Sequence, residues 1–268
     1  MATKFWIVDT FSNNALRGIP SAVFFVDNFE DESLFQNVAM EINTPETIFI
    51  KDLQNGDFES MCFSPRNKGL FFGNSLFAAA KVINQKTELK QFNIICGIRI
   101  FAIEVNDLGE TNVRFSTVEL NKVSTPINLN AALDDELIVS LAECKDELII
   151  EIRSPKRLMN LNLNMDILTS INYNSFIITA DTHYETDLDY DFCAKVFAPR
   201  LGIFRDIATP IACAKLAAYW SERIEKTNLV AFVSGSENAG NVNINYGSEF
   251  THISGNCVIS TTGEMLAF

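Results

Sequence analysis

A segment beginning at Phe63 occurs a second time at Phe197, 134 residues further on, and that offset is half of the 268-residue chain. The two copies, residues 63–83 and 197–217, align without a gap and share six of 21 positions, where ordinary composition gives roughly one identity by chance. The shared residues are Phe63/Phe197, Pro65/Pro199, Arg66/Arg200, Ala78/Ala212, Ala80/Ala214 and Lys81/Lys215. A duplicated unit explains this pattern, and it predicts two halves with related folds.

Each copy predicts an extended Phe-x-Pro-Arg segment, a short turn and then a helix. Ser75 and Thr209 are the predicted N-cap residues of the two helices, since a hydroxyl there can accept a backbone N–H. Both helices are apolar nearly all round, which predicts that protein surrounds each of them. We therefore expect an α/β (α+β) fold with two pseudo-symmetric domains, each a curved, mostly antiparallel sheet wrapped around a central apolar helix.

The predicted boundary between the halves is the polar, proline-containing segment Asn121–Asn130. This divides the chain into domains 1–120 and 121–268, and the last strand can cross back to the first half. If the halves face each other, the two buried helices direct their N-termini at one cleft. Free N–H groups at a helix N-terminus hold carboxylates and stabilise developing negative charge, so we expect function there.

Local patterns predict further elements outside the repeat. Apolar residues at helical spacing predict a helix over Asp31–Ile42, and a second helix is expected near Ala131–Leu141. The helix of the second copy is expected to run to about Ile224. Strands are expected where apolar and β-branched runs are bounded by turn residues. Those strands are Lys4–Val8, Ala22–Val26, Phe92–Cys96, Arg99–Val105, Asn112–Val118, Glu147–Arg153, Ser175–Ala180, Leu229–Ser234, Asn241–Tyr246 and Gly255–Ser260.

Composition excludes several classes of function. The formal net charge of −13 argues against a nucleic-acid partner or an anionic membrane. Six cysteines stand singly, and neither histidine has metal-ligand spacing from a cysteine, so no metal or disulfide framework is expected. The N-terminus lacks the pattern of a signal peptide, and no stretch reaches 18 apolar residues. These features predict a cytoplasmic protein.

Glu46 is the first candidate for chemistry. It follows Thr44-Pro45 and precedes the apolar run Thr47–Ile50, where a carboxylate is costly unless it is paired or used. Taken alone, a carboxylate in this position more often accepts hydrogen bonds from nearby backbone N–H groups.

Several motifs together resemble the phenazine-biosynthesis PhzF family of isomerases and epimerases, which has the diaminopimelate-epimerase fold. They are the opening Val8–Phe11 with Gly18-x-Pro20, the Glu46-Thr47 pair, Phe63-x-Pro65, Gly73 before the Ala-rich helix, Phe197–Pro199, the Asp206–Thr209 loop, Ala218–Trp220 and Ile253–Gly255. The matches occur in the family's order over nearly the whole chain.

The resemblance implies that Glu46 moves a proton on a small carboxylic-acid substrate, without metal or cofactor, in the cleft between the halves. It also implies a homodimer. Such chemistry needs a base held close to the substrate carbon and oriented dipoles for the charge that builds up. The substrate-binding residues it implies are Ile19, Gly73, Asn74, Ser75, Asp206, Thr209, Pro210 and Ile211.

Four of these positions depart from the family pattern. Ile19 stands where the family has Asn, and Asn74 stands where it has His. Pro210 and Ile211 replace a Gly-Ser pair at the start of the second helix, which removes one backbone N–H and adds a branched apolar side chain.

Two interpretations therefore remain open. The chain is an isomerase with Glu46 as acid and base, or it is a catalytically impaired relative that binds a small molecule or a protein partner. A third class, racemisation by two facing cysteines, lacks its residues, because Cys213 lies inside its helix and the first helix opens with Asn74-Ser75.

Overall fold

The structure is a computed structural model that describes residues 2–66, 68, 73–133, 138–183, 189–201, 203–204, 209–235 and 238–266. Its first half contains β1 (Thr3–Thr10), β2 (Ile19–Phe25), α1 (Glu32–Ile42), β3 (Glu46–Asp52), β4 (Phe58–Phe63), α2 (Asn74–Thr87), β5 (Gln91–Cys96), β6 (Arg99–Val105) and β7 (Thr111–Ser116). There follow β8 (Asn121–Lys122), α3 (Leu129–Ala132), β9 (Ile138–Cys144), β10 (Glu147–Ile152), α4 (Pro155–Met159), α5 (Met165–Ser170), β11 (Ser175–Asp181), β12 (Phe192–Phe197), a short 3-10 turn (Pro199–Leu201), α6 (Pro210–Ser221), β13 (Asn228–Gly235), β14 (Asn238–Tyr246), β15 (Phe250–Gly255) and β16 (Cys257–Met265).

The chain forms two compact units. Unit 1 comprises Met1–Phe115 and His252–Phe268, and unit 2 comprises Ser116–Thr251. Unit 1 is therefore built from both ends of the sequence.

The sheet of unit 1 has the strand order β16-β1-β2-β3-β4-β5-β6-β7. Neighbouring strands in this sheet are antiparallel except for two parallel pairs, β2–β3 and β4–β5. In unit 2 the strand order is β8-β9-β10-β11-β12-β13-β14. Its six pairs have the same directions as the first six pairs of unit 1, with β10–β11 and β12–β13 parallel and the others antiparallel. The prediction of an α/β (α+β) fold with mostly antiparallel sheets is confirmed.

Helix α2 forms the core of unit 1. Every residue from Asn74 to Ala80 is buried, and so are Val82 and Ile83, as the apolar pattern predicts. The helix contacts β1, β2, β3, β6 and β16. Its small Ala side chains allow these strands to approach closely.

The sheet also carries a cluster of stacked aromatic side chains. Phe49 lies between Phe24 and Phe35, with ring centroids 5.2 and 4.3 Å away. Helix α1 contributes Phe35 to this cluster, and its N-cap Asp31 accepts the Leu34 N–H at 2.9 Å. Burial of such rings stabilises the fold by about 1.5–3 kcal/mol each.

Helix α6 is the equivalent element of unit 2 and contacts β13 and β14. One of its faces is polar. Lys215 forms an ion pair with Glu147, and the Tyr219 hydroxyl donates to Glu151 at 2.6 Å. Burial and this hydrogen bond raise the pKa of Tyr219 above its ordinary value.

Two expectations about helices are wrong. Residues 138–141, expected at the end of a helix, begin strand β9, where Leu141 pairs with Ile150 of β10. Only the short α3 forms in this region, and residues 134–137 lie outside the described part of the chain. Helix α6 ends at Ser221 rather than near Ile224. Among the described residues, no helix has the length and apolar composition needed to span a bilayer.

Candidate active site

Glu46 is the first residue of β3, a strand in the middle of the unit 1 sheet. Its parallel neighbour in β2 is Ser21, and the following residue, Thr47, pairs with Phe63 of β4. The exposed fraction of Glu46 is 0%. A carboxylate with no access to water is stable only when protein groups replace its hydration.

Backbone N–H groups at the start of α2 provide this replacement. The Ser75 N–H donates to Glu46 Oε2 at 2.9 Å, and the Gly73 N–H donates to Oε1 at 3.4 Å. Both groups belong to the first turn, where the helix dipole favours a negative charge. The hydrogen bonds and the dipole therefore favour the ionised carboxylate, while burial opposes it.

The helix N-cap is Gly73, so the prediction that Ser75 caps α2 is wrong. Gly73 has φ +99°, a backbone conformation that favours glycine, and it has no side chain to accept a hydrogen bond. The carboxylate of Glu46, 27 positions earlier, accepts the N–H groups in its place. The residues around Gly73 do not predict this contact, because its acceptor is distant in the sequence.

Asn74 and Ser75 are both buried at the start of α2. The Ser75 hydroxyl lies 3.4 Å from the Cys62 sulfur, in the direction of β4. Thus Gly73 and Ser75 contact Glu46 directly, and Asn74 lies between them in the chain.

Ile19 begins β2 and is 5% exposed, so it is part of the core. Its carbonyl accepts the Thr10 hydroxyl at 3.1 Å. The preceding Gly18 has no room for a side chain, since an added Cβ would lie 2.5 Å from the Thr10 carbonyl oxygen.

The predicted site residues of unit 2 lie at the start of α6. The Thr209 hydroxyl accepts the Ala212 N–H at 3.0 Å, so the prediction that Thr209 caps this helix is confirmed. Pro210 is the first helical residue, and Ile211 is half-buried. Asp206 lies outside the described residues.

Cys62 lies in β4 and is buried. Within the described residues, no three His, Cys, Asp or Glu side chains form a candidate metal cluster.

A family model described as phenazine biosynthesis-like protein, PhzC-PhzF, matches residues 8–263. The chain belongs to the PhzC-PhzF family. An uncharacterized isomerase of Halalkalibacterium halodurans is 27% identical over 273 residues, and the alignment covers 99% of each chain.

Solved structures give the fold. A PhzF-family protein of Enterococcus faecalis superposes with a TM-score of 0.87 at 21% identity, covering 99% of both chains. A hydroxyproline epimerase of Agrobacterium vitis, solved with trans-4-hydroxy-L-proline, superposes with a TM-score of 0.62 at 7% identity, covering 98% of this chain and 92% of the epimerase. The predicted epimerase-like fold is confirmed by these matches.

Proposed function

We propose that this PhzC-PhzF member is a cofactor-independent isomerase or epimerase in which Glu46 moves a proton on a small carboxylic acid. The observation that carries the proposal is the position of the Glu46 carboxylate, fully buried and bound to two N–H groups of the α2 N-terminus. Family membership and the isomerase and epimerase names of its relatives support the reaction class.

The reaction begins with an ionised Glu46. One carboxylate oxygen takes a proton from a substrate carbon beside the carboxylate or a double bond, and the electron pair delocalises into that group. Glu46 then returns the proton to another carbon on the same side of the substrate, so the carboxylate is regenerated. The positive end of the α2 helix dipole favours the negative charge that develops on the substrate.

Burial imposes a condition on this mechanism. Because Glu46 is fully buried, substrate contacts it only after a local movement exposes one oxygen. The hydrogen bond from Gly73, at 3.4 Å, is the longer of the two.

The remaining sequence assignments are part of the same proposal. Gly73, Asn74, Ser75 and Ile19 are the substrate-binding residues that we propose in unit 1, and Asp206, Thr209, Pro210 and Ile211 are those that we propose from the family resemblance in the second half of the chain. The repeated order of strand pairs supports a duplicated ancestral unit with domains 1–120 and 121–268, in which the last strand crosses back to the first half. We also propose a cytoplasmic homodimer, which sedimentation of the purified protein tests.

Exchange of substrate hydrogen in D2O tests the proton transfer without knowledge of the product. Proline, trans-4-hydroxy-L-proline and small cyclic unsaturated acids are incubated with the protein, and deuterium at carbon is followed by NMR. Glu46→Gln keeps the side-chain shape but removes the base, so exchange should fall by roughly 10²–10⁴-fold. Ser175→Ala, at the corresponding register position of unit 2, is the matched control and should exchange at the wild-type rate. Equal rates for wild type and Glu46→Gln would exclude Glu46 as the base.

A second candidate is a catalytically impaired protein that binds a small molecule or a protein partner. The start of α6 favours it, since Pro210 has no N–H and Thr209 already accepts the Ala212 N–H. Fewer donors therefore remain there for a substrate anion. Thermal stabilisation by a carboxylic acid without deuterium exchange would support this candidate, and exchange that depends on Glu46 would rule it out.

A further inference from the structure

A serine lies beside Glu46 in the sheet of unit 1. Ser21 of β2 and Glu46 of β3 are directly paired in adjacent parallel strands. Paired residues of neighbouring strands point to the same face of a sheet, and such strands lie about 4.8 Å apart. Helix α2 packs against both strands, and Glu46 reaches its first turn. Ser21 therefore points to the same helix from the strand position next to the candidate base.

The hydroxyl of Ser21 makes no structural hydrogen bond. The residue is 0% exposed, and its Oγ has no hydrogen-bond partner in the described part of the chain. Its neighbours explain this, because Val8 lies opposite it in β1 and the residues on the same face of β2 are Ile19 and Val23. None of these three side chains can form a hydrogen bond. A buried hydroxyl in this state costs stability, so it needs a reason other than the fold.

Unit 2 has the same two residue types in reverse order. Ser175, at the register position that corresponds to Glu46, pairs with Glu147 of the neighbouring parallel strand. Glu147 therefore corresponds to Ser21, and it forms an ion pair with Lys215 of α6. The hydroxyl of Ser175 thus lies beside a carboxylate that has a cationic partner, whereas Ser21 lies beside the candidate base. Ser175 is the matched control for Ser21.

We propose that Ser21 donates a hydrogen bond to the carboxylate of the substrate and stabilises the charge that develops there when Glu46 removes a proton from the adjoining carbon. The inference rests on the proposed function and adds a substrate class, namely acids whose reacting carbon itself bears the carboxylate. Two observations support it: the register that sets Ser21 beside Glu46, and the lack of any other partner for its buried hydroxyl among the described residues.

The chemistry of such an acid fits two groups on adjacent strands. Its carboxylate oxygens lie two bonds from the reacting carbon, so one substrate can meet Glu46 and Ser21 together. As Glu46 takes the proton, the electron pair of the broken C–H bond delocalises into the carboxylate, and a hydrogen bond to its oxygen becomes stronger. Ser21 keeps its proton throughout. Because both residues are buried on one face, a movement that admits substrate to Glu46 also brings it beside Ser21.

Deuterium exchange at the carbon beside the carboxylate, measured over a range of acid concentrations, tests this role. Ser21→Ala should lower the rate at saturating acid by about 10²-fold, because it removes one donor to the developing charge. The half-saturating concentration should change less, since the hydrogen bond is strongest in the transition state. Ser21→Cys keeps a weaker donor and should fall between Ser21→Ala and wild type. Ser175→Ala should exchange at the wild-type rate.

Urea unfolding separates this role from a structural one. Ser21→Ala removes a buried hydroxyl that is unpaired among the described residues, so its unfolding midpoint should equal that of the wild type. Loss of exchange with an unchanged midpoint supports a hydrogen bond to the substrate. A midpoint that falls together with the exchange rate would assign Ser21 to the fold and overturn the proposal.

The two proposals fail in different ways. Exchange that Glu46→Gln does not reduce excludes the proposed function and this inference with it. Exchange that depends on Glu46 but is unchanged in Ser21→Ala overturns this inference alone.

Calorimetry with benzoate decides the case in which no acid exchanges in the wild type. The planar carbon beside its carboxylate resembles the substrate after proton removal. Ser21→Ala should bind benzoate roughly 10-fold more weakly than wild type and Ser175→Ala, because it lacks the hydrogen bond to the charged group. Equal binding by the three proteins, or no binding by the wild type, would overturn the inference.

Discussion

The central helices of the two units begin in different ways. By the repeat, Ser75 of α2 corresponds to Thr209 of α6, yet α6 starts directly after Thr209, whereas α2 starts at Asn74 after Gly73. Thr209 caps its own helix through its hydroxyl. At α2 the acceptor is the carboxylate of Glu46, which reaches the helix from strand β3.

The registers of the two sheets identify the counterpart of Glu46. Thr47 pairs with Phe63 in unit 1, and Phe176 pairs with Phe197 in unit 2, so the residue before Phe176 corresponds to Glu46. That residue is Ser175, whose buried hydroxyl has no hydrogen-bond partner in the structure. At one sheet position a carboxylate accepts hydrogen bonds from a helix, whereas the hydroxyl at the corresponding position has no hydrogen-bond partner. The difference places the candidate acid and base in unit 1.

Removal of the side chain at these two positions should give the largest contrast. Glu46→Ala leaves two buried N–H groups without their acceptor and opens a cavity, so we expect a loss of about 3 kcal/mol in the free energy of unfolding. Ser175→Ala removes an unpaired buried hydroxyl and should change it by less than about 0.5 kcal/mol. Urea unfolding measures both. Equal losses would contradict the asymmetry between the units.

Substitution of Gly73 should be the next largest effect. Its φ of +99° is strained for any residue with a Cβ, so Gly73→Ala should destabilise unit 1 by about 2 kcal/mol. Hydrogen exchange at the amides of α2 should quicken, while that of α6 stays unchanged. The N-cap of α6 has φ −129°, so Thr209→Ser should be tolerated there.

The capping hydroxyls can be compared with one another. Thr209→Ala removes the acceptor of the Ala212 N–H and should lower the free energy of unfolding by about 1 kcal/mol. Ser75→Ala removes only the contact with the Cys62 sulfur and should have an effect below about 0.5 kcal/mol. If Ser75→Ala proved as costly as Thr209→Ala, the assignment of Glu46 as the cap of α2 would fail.

Substitution of Pro210 should have a smaller effect than loss of the Thr209 hydroxyl. Proline at the first helical position restricts the conformations of the unfolded chain. Pro210→Ala should therefore lower the free energy of unfolding by about 0.5 kcal/mol. It also restores an N–H at the start of α6. Calorimetry with inorganic phosphate, compared between wild type and Pro210→Ala, shows whether that N–H strengthens anion binding; tighter binding by the variant is expected.

Much of this fold was predictable because its strongest signals are local. The apolar pattern of residues 74–83 predicted a buried helix, and Thr209 followed by Pro210 predicted the start of α6. Glu46 was recognised as a carboxylate at the edge of an apolar strand. Each of these inferences depends on residues within about two helical turns of one another.

The errors arose where distant strands or side chains decide the local structure. Residues 138–141 have a composition compatible with a helix, but pairing of Ile138 and Leu141 with β10 makes them a strand. Ser75 has the residue type of a cap, but the Glu46 carboxylate takes that role. Pairing energy between strands exceeds the small differences in local propensity.

The sequence by itself determined that a segment recurs after 134 residues, that each copy contains an apolar helix, and that Glu46 is a carboxylate in an apolar setting, since recurrence and periodicity are properties of the chain alone. Only the tertiary structure decided that Glu46 binds the N–H groups of α2 and that Ser175 takes the same position in unit 2. The reason is physical: these contacts depend on the order and register of strands, which are fixed when the whole core packs and not by neighbouring residues.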